Sequence, residues 1–188
     1  MLDRQKERGL LMHGRSIAGV TLIELLIGFA LIGILLGLGV PSFRAWMQNV
    51  QVRNAAQSVL SGLQLARANA VSRNKMITFT MAGPDSSWAV TIDSPNAAAG
   101  ETATVQTRSA AEGTPNAVVT TTSPTITFDG LGKTNLLAAA TIQITNPTGG
   151  ACGTGTTNMR CLNLTVAVGG QIKMCDPQVV TAGDSRKC

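Results

Sequence analysis

Residues 19–41 read Gly19-Val20-Thr21-Leu22-Ile23-Glu24-Leu25 followed by LIGFALIGILLGLGVP. From Val20 to Val40 only Thr21 and Glu24 are polar. Those 21 residues are enough to cross a hydrocarbon core of ~30 Å as a helix. The run is too long for the apolar region of a secretory signal, and no small-x-small cleavage site follows it. Residues 1–19 carry Arg4, Lys6, Arg8 and Arg15 against Asp3 and Glu7. Positive charge ahead of the span predicts a cytoplasmic N-terminus, with everything after residue 41 across the membrane. Glu24 is the anomaly, because a carboxylate in an apolar helix costs roughly 2.5–3.5 kcal/mol and calls for a partner. The alternative is a solvated Glu24 at the membrane boundary.

The stretch Gly19-Val20-Thr21-Leu22-Ile23-Glu24-Leu25 resembles the processing motif of type IV pilins and pseudopilins. That motif is a Gly, an apolar residue that is usually Phe, then Thr-Leu-Ile-Glu-Leu. The resemblance implies that a prepilin peptidase cuts after Gly19 and that the exposed Val20 is N-methylated. Val in place of Phe is a departure at the methylated position. The resemblance also supplies a partner for Glu24, the new α-amine of a neighbouring subunit. Such an ion pair gives register, because a misplaced subunit leaves both charges unpaired in an apolar fibre core. Pro41 falls where many pilins carry a helix-bending Pro. Gly28, Gly33 and Gly37 suit close helix approach, or reflect only the abundance of Gly in membrane helices.

Beyond Pro41 the helical period continues through Ala56, Val59, Leu60, Leu63, Ala66 and Ala70. Arg44, Arg53, Arg67, Arg73 and Lys75 share this stretch with no acid between Ser42 and Lys75. From Val20 to about Asn74 the helix is expected to be roughly 80 Å long. At residue 76 the period changes to two. Strands are expected at 76–81, 88–92, 125–128, 141–145, 161–168 and 171–175, with weaker signals at 104–107 and 118–121. Residues 94–123 otherwise read as a loop-rich middle. The expected fold is α+β: a long N-terminal helix, transmembrane in its first half and amphipathic in its second, packed on an antiparallel β-sheet domain with C-terminal disulfides. The expected divisions are a cleaved leader (1–19), a membrane or fibre-core helix (20–41), an amphipathic helix half (42–75) and a β-rich globular domain (76–188).

The β region narrows the resemblance. Leu65 to Asn74, with its Ala-Arg-x-x-Ala-x-x-Arg run, is similar to the helix end of the GspH/FimT pseudopilin family. Trp88–Asp93 resembles that family's second strand, and Ile126-Thr127-Phe128 with Gly130 and Gly132 resembles a later strand and turn. The ending from Gly170 to Pro177, with Cys188, is most similar to FimT and FimU minor pilins. The resemblance implies a minor pilin that primes or caps a type IV pilus, or a type II secretion pseudopilin. Its implied partners are other major and minor pilins, the prepilin peptidase, an inner-membrane assembly platform and the membrane itself.

The chain has 188 residues, 44% hydrophobic and 13% charged, against roughly 25% charged in an average soluble protein. Its one His, His13, precedes the cut, so the processed chain can host neither a His-dependent nucleophile nor a His-ligated zinc. No catalytic residue, metal ligand set or cofactor is expected. Gly153-x-Gly155-x-x-Asn158 falls short of a dinucleotide loop, lacking the last Gly and a following helix. None of the four Cys forms a CxxC, and the inferred compartment is oxidising. Of three possible pairings, Cys152–Cys161 and Cys175–Cys188 are favoured because each closes a short Gly- and polar-rich segment.

DNA is the remaining candidate ligand. Some FimT-type minor pilins bind DNA through a Gly-Arg-x-Arg motif, and the matching positions here are Gly170-Gln171-Ile172-Lys173. Gln for Arg and Lys for Arg remove the guanidinium fork and half the local charge. Arg186, Lys187 and Arg160 are candidates to restore a basic tip beside Lys173; solvated charges on a disulfide-rich tip are the alternative. The formal +5 includes the leader. After the cut, 11 basic and eight acidic side chains remain, and residues 76–188 carry six basic against seven acidic. Only a local tip, not a general basic surface, is available to nucleic acid.

Overall fold

The computed structural model describes residues 19–95, 100–153 and 159–188. Leader residues 1–18, and Gly155 and Asn158 of the near-miss loop, lie outside the described residues. The chain divides into two compact units, Met1–Val40 and Pro41–Cys188. Helix α1, Leu22–Arg73, contributes to both, and its helical assignment runs through Pro41.

In the first unit the apolar stretch has no protein core to bury against. Leu22, Leu35 and Leu38 are each at least 70% exposed. This is the one helix among the described residues long and apolar enough to cross a membrane, and none of its most apolar window is buried.

In the second unit α1 presents Val52, Ala55, Ala56, Val59, Leu63, Ala66 and Ala70 to the interior, all fully buried. These are the three- and four-residue steps of one helix face. The eight strands among the described residues are β1 (Ile77–Met81), β2 (Trp88–Ile92), β3 (Thr104–Arg108), β4 (Val118–Thr121), β5 (Thr125–Phe128), β6 (Ala140–Thr145), β7 (Leu162–Val166) and β8 (Ile172–Cys175). They form two four-stranded sheets, β3-β2-β1-β5 and β4-β6-β7-β8, antiparallel throughout. Alternation sets the inward faces: Ile77, Phe79 and Met81 on β1, and Ala140, Ile142 and Ile144 on β6. Both sheets and the helix face share one core.

The helix end is chemically specified. Asn74 takes φ 49°, the left-handed conformation that Asn tolerates. The Lys75 N–H donates to the Ala70 carbonyl and the Asn74 N–H to the Val71 carbonyl, the paired bonds of a Schellman stop. Chain direction reverses there and β1 begins. Inside, Ser58 and Gly62 make room for aromatic rings. The Trp88 indole N–H donates to Ser58 Oγ at 2.8 Å, and a Cβ on Gly62 would stand 2.8 Å from Phe79.

The loop-rich middle holds more order than its composition suggests. β3 is an edge strand of the first sheet, while β4, next in sequence, joins the second.

Candidate assembly surfaces and C-terminal tip

Thr21 stands just before the first helical residue, and its Oγ1 accepts the Glu24 N–H at 3.3 Å. Thr-x-x-Glu is the sequence of a capping box, with Glu24 in the first turn, where the helix dipole favours a negative charge. Gly19, Val20 and Glu24 are all exposed. A Cβ added at Gly28, Gly33 or Gly37 would meet nothing within 4 Å, so each glycine opens on free space.

In the second unit a polar collar holds the helix against the strands. Gln48 Oε1 accepts from Asn146 Nδ2 at 2.7 Å and from Asn116 Nδ2 at 3.2 Å. Gln51 Oε1 accepts the Asn116 N–H at 3.1 Å, and Asn49 Oδ1 accepts the Arg160 N–H at 2.9 Å. Each such bond is worth about 1 kcal/mol net, and losing one partner of the buried Asn146 costs more. Sequence reading passed over these residues. The available signal was three amide side chains within four helical positions, Gln48, Asn49 and Gln51, where an exposed helix would favour charge.

At the tip, Cys152 pairs with Cys161 and Cys175 with Cys188, with Cα separations of 5.5 and 5.0 Å. No free cysteine occurs among the described residues. Cys161 and Cys175 are buried while Cys152 and Cys188 are exposed, so each bridge ties a loop to the core. The Asp176 N–H also donates to the Arg186 carbonyl at 2.7 Å, seating the tail beside the end of β8.

The four candidate cations do not form one site. Arg160 is ion-paired with Asp176, whose side chain is only 9% exposed. Arg186 grips Asp184 through two bonds, Nε to Oδ1 at 3.1 Å and Nη2 to Oδ2 at 2.7 Å. The side-chain hydrogen bond from Arg186 pulls the Asp184 carboxyl down from 3.8 to about 2, and Asp184 in turn raises Arg186. Lys173 donates to the Lys187 carbonyl at 2.9 Å. Neither lysine has a carboxylate partner among the described residues. On β8, Met174 packs toward the core, and the pleat sends its neighbour Lys173 to the other side. Two cations are therefore neutralised and two remain.

No group of three or more His, Cys, Asp or Glu placed to hold a metal occurs among the described residues.

The chain is similar in structure to the type IV minor pilin FimU of Pseudomonas aeruginosa, at 17% identity and TM-score 0.49, covering 69% of this chain and 99% of that one. It is also similar to E. coli GspH, at 14% identity and TM-score 0.46, covering 68% of this chain and 89% of that one. No curated protein sequence matches it. Residues 55–170, more than half of the chain, match the family described as type II transport protein GspH. That match shows the family: the chain belongs to the GspH family.

Proposed function

We propose that this protein is a minor pilin, a structural subunit that helps to prime or cap a type IV pilus. One observation carries the reading: an exposed apolar helix begins with a capped Thr21–Glu24 turn. Such a helix needs a bilayer or other helices around it. We infer that the prepilin peptidase removes residues 1–19, that Val20 is methylated, and that its amine pairs with Glu24 of a neighbour. Before assembly the chain spans the inner membrane once, with residues 42–188 in the periplasm. Pro41 marks where the apolar segment gives way to the domain-bearing half. The protein does no catalysis of its own.

A pseudopilin of a type II secretion system is the second reading, favoured by the name of the matching family. Deletion of the protein separates the two. Loss of twitching with normal secretion supports the pilus; retained twitching with lost secretion overturns it. DNA binding is a third reading, drawing on Lys173 and Lys187, which lack carboxylate partners among the described residues. Its test is a gel shift with full chain in which Lys173, Arg186 and Lys187 are all changed to Ala. Unchanged binding removes the tip from consideration.

A further inference from the structure

A cleft of about 540 Å3 opens between α1 and the edge strand β8. Asn49, Arg53 and Gln57 form one wall, and Arg160 and Arg186 line the other. The helix residues recur every four positions, so they make a single stripe.

The three guanidiniums differ in their commitments. Arg160 is fixed by the buried Asp176, whose Oδ1 also accepts the Gln178 N–H at 2.9 Å. Arg186 is held by Asp184. Arg53 is exposed and has neither an ion pair nor a side-chain hydrogen bond among the described residues. Of the three cations lining the cleft, Arg160 is paired with Asp176 on its lining and Arg186 with Asp184 outside it, so the positive charge left over belongs to Arg53. The floor is apolar: Leu162 and Met174 line the cleft and pack on the core.

We propose that this cleft receives an Asp or Glu side chain from a neighbouring pilin-like subunit, with Arg53 as the group that answers it. The inference rests on the assembly reading above. A carboxylate matches the planar guanidinium fork, and one carboxylate balances the single unanswered charge. The partly enclosed walls weaken salt screening of that pair. A phosphate backbone is the poorer fit, because it takes several uncompensated cations in a row. The apolar floor suits an acid flanked by apolar residues.

The test uses the full chain in cells that assemble it, with a photo-crosslinking amino acid at Gln57. The expected adduct maps to an acidic surface segment of a pilin-like subunit. Arg53→Glu should lower its yield tenfold or more, and Arg53→Lys should retain part of it. Changing the mapped acid to Arg should restore the adduct in the Arg53→Glu chain. Arg53 is exposed, so these variants should fold, checked by intact Cys152–Cys161 and Cys175–Cys188 bridges. No adduct from a chain present in the assembly overturns the inference and leaves the assembly reading intact. So does an adduct on a segment without acids, or one indifferent to Arg53→Glu. Loss of a single-stranded oligonucleotide gel shift on Arg53→Glu, with the adduct unchanged, overturns it in favour of nucleic acid. A wild-type chain that never enters an assembly sinks the assembly reading, and this inference with it.

Discussion

The two units of the chain solve opposite problems. Residues 41–188 bury their apolar side chains internally, and Phe79, Phe128, Ile77 and Leu164 have essentially no exposed surface. Residues 20–40 are more apolar, yet Leu22, Ile23, Leu35 and Leu38 remain exposed. The difference teaches that the first unit is incomplete by itself and the second is not. Mutations should therefore separate cleanly: changes in the first should alter assembly without altering domain stability, and changes in the buried core of the second should lower domain stability.

The largest expected effect is at Glu24. Glu24→Val should abolish or nearly abolish entry into fibres while leaving peptidase processing and the unfolding midpoint of the β domain unchanged. Immunoblots of sheared fibres against membranes measure the first, and denaturant melts the second. Normal incorporation would break the contrast between the units. Phe79→Ala should destabilise the β domain by about 3–5 kcal/mol, since a fully buried ring leaves a cavity between sheet and helix. A denaturant titration of the full chain in detergent reads this, with processing unaffected. Replacing Cys175 and Cys188 together by Ser should cost about 2–4 kcal/mol and expose the tail to protease. Ser58→Ala should cost about 1–3 kcal/mol by leaving the buried Trp88 N–H without its acceptor.

The smallest effect sharpens the charge account at the tip. Asp184 is held at about 2, below its ordinary 3.8. A depressed carboxyl contributes above its unfolded pKa, and the contribution fades as pH falls through the folded value. The Asp184–Arg186 contact should therefore persist at about pH 4 and be half lost near pH 2. Carbon-detected NMR of the Asp184 carboxyl follows it, and Arg186→Ala should return the midpoint toward 3.8.

Much of the fold was legible because it follows local periodicity. Ala56, Val59, Leu63, Ala66 and Ala70 mark the helix face, and alternation marks β1, β2, β5 and β6. The weak signals at 104–107 and 118–121 are strands, and the polar composition around them hid this because β3 is an exposed edge. The candidate tip was less legible. Arg160 and Arg186 read as open cations, yet Asp176 and Asp184 compensate them. Arg53, one of five basic residues at 44–75, joins both of them in one cleft. Proximity in the chain gives no measure of proximity across a sheet.

By itself the sequence determined the apolar run, the change of period at residue 76 and the cysteine intervals, since each depends on residues close along the chain. Only the tertiary structure decided that the strands divide into two sheets, that Gln48 and Asn49 clasp Asn146 and Arg160, and which charges are already answered. Those outcomes depend on contacts between residues up to 111 apart, such as Asn49 and Arg160. Strand order and ion pairing are set by what the folded core brings together, and no local pattern encodes that.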